Sequence, residues 1–119
     1  MAEQDVEFVV DDEDLDALQS LLETEGATDV EPVQEAGVLP FVGIVVAAVI
    51  ALGGLCNIVV KLRQAWTCGV VVDARTPIIQ TSKNRDLPRG TVLVFAPDGT
   101  QHTLHEPSQV EIEKVVTAA

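Results

Sequence analysis

Residues 37–60 read GVLPFVGIVVAAVIALGGLCNIVV, twenty-four positions without a charged side chain. As a single helix the stretch would be about 36 Å long at about 1.5 Å per residue, against a bilayer hydrocarbon core of about 30 Å. Its length and apolar character predict a membrane-type helix over 37–60. Lys61, Arg63 and Trp66 follow directly. Basic residues and a Trp at one end of a span mark a membrane–water interface, here the cytoplasmic one by the positive-inside rule. The expectation is a cell-membrane protein whose C-terminal module faces the cytoplasm, with membrane lipid as a partner. Gly43, Ala47 and Ala51 recur every four residues, a ridge of small side chains that lets helices pack closely. They form the candidate helix interface of a homo-oligomer. A helix apolar on all sides also fits the buried core of a soluble oligomer. In both cases a chain of 119 residues has little else with which to wrap it.

The apolar block separates two modules of different charge. Residues 1–36 carry 13 acidic groups and no basic one, and residues 61–119 carry 7 basic and 6 acidic groups. In the acidic module, Val6, Phe8 and Val10 alternate with Asp5, Glu7 and Val9. Period two with branched residues predicts a strand with one buried face. Asp11, Asp12 and Asp14 supply carboxylates for a helix start. Leu15, Leu18, Leu21 and Leu22 then form an apolar stripe at helical spacing, and Gly26 suits the left-handed residue after a helix. Thr28 to Val33 reads as a second strand, kept short or at an edge by Pro32. The module is therefore β-α-β. The acidic run from Asp11 to Asp16 reads first as a solvated helix N-terminus, with a divalent-cation site or a docking surface for a basic partner as its alternatives.

In the balanced module, Val70 to Val72 and Thr91 to Phe95 read as strands. Ser82 to Asp86 reads as a polar loop. Pro97-Asp98-Gly99 is a turn, because proline presets φ and glycine accepts the left-handed position. Gln101 to His105 returns as the hairpin partner, and Pro107-Ser108 opens a last element through Val116.

Composition excludes several functions. A net charge of −12 argues against a nucleic-acid partner, which clustered Lys and Arg would recruit. Two cysteines, Cys56 and Cys68, form neither a disulfide framework nor a metal motif. His102 and His105 stand three apart, so in a strand they point to opposite faces and do not share a metal. No phosphate loop, dinucleotide fingerprint or nucleophile motif occurs. The sequence thus nominates no catalytic residue, no metal ligand and no cofactor-binding residue, and predicts a protein that is not an enzyme.

The order of elements resembles the effector-associated constant component family of bacterial conflict systems. The resemblance is carried by Glu7-Phe8-Val9-Val10, Leu15 to Leu22, the block from Gly37 to Val60, and Val92 to Thr103 with Ala96-Pro97-Asp98-Gly99-Thr100. It is architectural and covers most of the chain. It implies a ferredoxin-like α+β arrangement with the apolar helix as its second helix. Joined to the membrane reading of 37–60, the expected fold is α+β: a small ferredoxin-like βαβ plus β-hairpin module with one long apolar, transmembrane helix. It also implies a non-enzymatic accessory or adaptor protein that engages an effector. The alternatives are a pore-forming oligomer and a soluble homo-oligomer with buried apolar helices.

Overall fold

The computed structural model describes residues 3–33 and 44–117. Seven strands and three α-helices follow the order β1 (Glu3–Val10), α1 (Leu15–Thr24), β2 (Thr28–Val33), β3 (Ile44–Ala51), α2 (Leu52–Ala65), β4 (Cys68–Asp73), β5 (Ile79–Pro88), β6 (Thr91–Phe95), β7 (Gln101–His105) and α3 (Gln109–Val116). A 3₁₀ turn over Asp12–Asp14 leads into α1. All seven strands lie in one sheet, ordered β2-β3-β1-β5-β4-β6-β7. β1–β5 and β4–β6 are parallel and the remaining neighbours antiparallel. Strands from the acidic segment, the apolar block and the balanced segment thus share one sheet.

The long apolar helix is not formed, and this is the main correction to the sequence reading. The block divides at Ala51. Its first described half, Ile44–Ala51, is strand β3 and its second half opens helix α2. Among the described residues no helix is long and apolar enough to cross a membrane. The expected transmembrane helix, and the membrane localisation that rested on it, are therefore overturned. The physical reason lies in β3. IVVAAVIA is rich in β-branched residues, whose stiff side chains fit a pleated surface. β3 sits between β2 and β1, and a central strand reads as continuously apolar because neither face is bathed fully in water. Val46, Ala48 and Ile50 are buried, while Val45, Ala47 and Val49 on the other face are half-buried. Helix α2 is amphipathic: Leu55, Cys56, Ile58, Val59 and Leu62 face the core.

The ferredoxin-like arrangement is corrected as well. That fold would place β4 beside β1. Here β5 occupies the position, parallel to β1 from Val6↔Ile79 to Val9↔Ser82, and β4 lies one strand further out. The result is a mixed α/β sheet of seven strands with three helices. β5 includes Ser82 to Asp86, the segment expected to be a polar loop. Its sequence has weak strand preference, but β1 pairs with Ile79 to Ser82 and β4 with Gln80 to Asn84, and pairing overrides propensity.

One face of the sheet carries the core. Val6, Phe8, Val10, Val46, Ala48, Ile50, Val70, Val72, Ile79, Val92 and Val94 join Leu18 and Leu22 of α1, the buried stripe of α2, and Ile112 and Val116 of α3 in one cluster. The three helices therefore lie on a single side. Asn57 Nδ2 donates to Glu25 Oε2 at 2.6 Å, tying α2 to the end of α1. Helix α3 starts with a capping box: Ser108 Oγ accepts from Glu111 N–H and the Glu111 carboxylate accepts from Ser108 N–H.

Candidate functional site

The charge asymmetry of the sequence resolves into contacts between segments about seventy residues apart. Lys83 Nζ lies 2.8 Å from Asp14 Oδ2 and 3.3 Å from Asp11 Oδ2, and Arg85 Nη2 lies 3.1 Å from Asp11 Oδ2. The Lys83 ammonium also stands 5.0 Å from the centroid of the Trp66 ring, a cation–π contact. Burial works against the Lys83 charge, but the bonds to Asp14 and Asp11 outweigh it and raise its pKa. Asp11, Glu13 and Asp14 bring carboxylate oxygens within 4.8 Å of one another. The protein's own ammonium sits against two of them, so the cluster works as an internal ion pair, not as an open cation site.

The residues assigned to a membrane interface have other roles. Trp66 is only 4% exposed and belongs to the core. Lys61 approaches Glu25 Oε2 at 3.9 Å, and Arg63 Nε donates to the Pro107 carbonyl at 3.3 Å. They brace α2 against its neighbours. Of the small-residue ridge, Gly43 lies outside the described residues, whereas Ala47 and Ala51 stand on strand β3. Positions four apart on a strand share a face, and here it is the face opposite the helices. Cys56 and Cys68 are buried and unpaired. Burial, with a smaller contribution from the Glu113 charge, pushes the Cys56 thiol up to about 12, so it is inert as a nucleophile at neutral pH. His102 and His105 occupy successive parities of β7, opposite Val94 and Thr91.

A concavity of about 410 Å³ lies at the sheet end among Gln4, Leu52, Arg75, Thr76 and Pro97. Its polar groups are already engaged. Arg75 holds Asp73 at 2.8 Å and stacks 4.5 Å from the Phe95 centroid, and Gln4 Nε2 donates to the Pro77 carbonyl at 2.6 Å. The Arg75 hydrogen bond, helped by its charge, holds the Asp73 carboxyl below the usual range.

A smaller concavity, about 230 Å³, lies on the open face of the sheet. Ala47 and Val49 are its floor, and Asp5, Glu7, Asp29 and Ile78 are its walls. Pairing places Glu7 and Glu31 on either side of Ala47. Ile78 is 42% exposed, unusual for a large aliphatic. Among the described residues no Lys or Arg lines this hollow. The half-buried row continues across the sheet through Val9, Ser82, Val71 and Leu93, aliphatic except at Ser82, and among the described residues no helix lies over it. An apolar floor with acidic walls suits a ligand that brings both a hydrophobic surface and positive charge.

Of these open-face residues, sequence pattern groups only Ala47 and Ala51, as a helix ridge and not as part of a sheet surface. The available signal was the second parity of each strand: Val9 beside Asp5 and Glu7, Val45 and Val49, Val71, Leu93. Those residues reveal a shared surface only after the strand order is known. Comparison with known protein families, curated proteins and solved structures finds no match to this chain.

Proposed function

We propose that this protein is a binding module that docks a basic, partly apolar protein partner on the open face of its sheet. One observation carries the proposal: at the β2-β3-β1 end the face opposite the helices is aliphatic along β3, at Ala47 and Val49, and bordered by the carboxylates of Asp5, Glu7 and Asp29. Aliphatic surface gains from being covered, by about 25 cal/mol per Å². Carboxylates without a neighbouring cation favour a partner that supplies one. We take that partner to be an effector protein and the role of the chain to be accessory, as the resemblance of its sequence to effector-associated constant components implies.

The test uses a defined probe, a short peptide of alternating Leu and Lys, titrated into isotope-labelled protein. Amide shifts should concentrate at Glu7, Thr28, Ala47 and Val49. Ala47→Arg sets a guanidinium beside Glu7 and Glu31 and should weaken binding at least about tenfold, the cost of one well-placed charge. A matching peptide of Leu and Glu should not bind. Shifts spread evenly over every acidic segment, or full binding by Ala47→Arg, would refute the proposal.

A further inference from the structure

The sheet ends in two edges of opposite character. β2 is blunted: Pro32 lacks an N–H, the register slips between Thr28 and Glu31, and Asp29 takes a φ of +51°. Asp29 and Glu31 add charge there. These devices prevent strand addition. β7 has none of them. It reads Gln101-His102-Thr103-Leu104-His105, with no proline, no bulge in its pairing and no carboxylate, lysine or arginine.

The direction of each backbone group on β7 follows from its ladder. Glu106 N–H donates to the Gly90 carbonyl and Ala96 N–H to the Thr100 carbonyl, each at 2.8 Å. Antiparallel bonding alternates, so Val92–Leu104 and Val94–His102 are the bonded pairs between those two ends. The N–H and C=O groups of Gln101, Thr103 and His105 therefore point away from β6. Among the described residues β7 has no second neighbour in the sheet. The side chains of the same three residues are exposed.

We infer that β7 pairs antiparallel with β7 of a second copy about a two-fold axis at Thr103, joining two sheets into one. The sequence of β7 matches itself in that arrangement. Thr103 faces Thr103 of the second copy, Gln101 faces His105, and His102 faces Leu104. The three outward residues of each copy then exchange about six backbone hydrogen bonds. Thr–Thr neighbours across strands are favourable and no like charges stand directly opposite. Charge also selects this edge: for a chain of net charge −12, two copies repel least where their strands carry no formal charge. The contact is isologous, as two-fold dimers require.

Light scattering after size exclusion should give twice the monomer mass at micromolar concentration. Thr103→Pro removes an outward N–H while leaving the bonds to β6 in place, so the fold should persist and the mass should halve. Thr103→Cys should yield a covalent dimer under mild oxidation, because bonded antiparallel pairs stand about 5.5 Å apart at Cα, within disulfide reach. Thr28→Cys, on the blunted edge, should not cross-link. A monomer at every concentration, or a dimer indifferent to Thr103→Pro, would overturn the inference. Ala47→Arg should leave the mass unchanged, so failure of partner binding and failure of pairing are separable.

Discussion

Phe8 and Val9 are adjacent in sequence and have opposite fates. Phe8 is completely buried beneath the helices, whereas Val9, one residue on, is half-buried on the open face. The same contrast repeats along β3, β4 and β6. It shows that apolar content alone does not state what covers a strand. On one face the helices of the same chain do so, and on the other no helix among the described residues does.

The largest expected effect tests that contrast directly. Phe8→Ala should destabilise the fold by about 3–5 kcal/mol in urea unfolding, because a core aromatic leaves a cavity. Val9→Ala should cost less than about 1 kcal/mol, since its position is already half open. Equal losses would mean that both faces are packed.

Gly69→Ala follows. An added Cβ would overlap Leu87 and stand 3.1 Å from the Thr91 carbonyl. Overpacking of this kind costs about 1–3 kcal/mol, and thermal unfolding would record it. Because Gly69 and Leu87 meet at the β4–β5 irregularity, the substitution probes how tightly the inserted strand is held.

Lys83→Met comes next. It leaves Asp11 and Asp14 without their shared ammonium and should lower stability by about 1 kcal/mol, a value set by partial exposure. Trp66 is the only tryptophan in the chain and should change its emission when the cation leaves its ring. An unaltered spectrum would show that the cation–π contact does not persist in solution.

The smallest effect at neutral pH concerns Cys56. Its folded pKa of about 12 lies above the ordinary thiol value. The neutral thiol is therefore favoured by folding, and this contribution is complete below about pH 8.5 and lost as pH rises toward 12. Cys56→Ala should flatten the alkaline decline in stability, and no tyrosine is present to obscure it. An identical decline in the variant would assign the loss to other groups.

Much of the fold was legible wherever the pattern and the local chemistry agreed. The alternation of Val6, Phe8 and Val10 produced a strand, and the leucine stripe produced α1. Gly26 and Gly99 took positive φ, at +76° and +90°. The turn at Pro97-Asp98-Gly99 and its hairpin followed. Two regions were not legible, for related reasons. Ile44–Ala51 is apolar on both parities because it is a central strand, and an apolar run on both faces cannot be told from a helix by periodicity. β5 alternates only at its start, where Ile79 and Thr81 are buried, and its polar remainder carries no apolar pattern because pairing with β4 holds it as strand. The candidate site depended on both. Its floor is β3, and its surroundings required knowing that β2 and β1 flank that strand.

Taken alone, the amino-acid order determined the local elements with a period, their turns and caps, and the imbalance between an acidic first third and a near-neutral last half. Those properties are set by neighbours along the chain. Tertiary structure alone decided that the oily block would split at Ala51, that β5 would enter between β1 and β4, and that distant carboxylates and ammonium groups would meet at Lys83. Such outcomes depend on what each segment touches across the sheet, and an apolar run is satisfied equally by lipid, by another subunit or by two flanking strands until one of them is present.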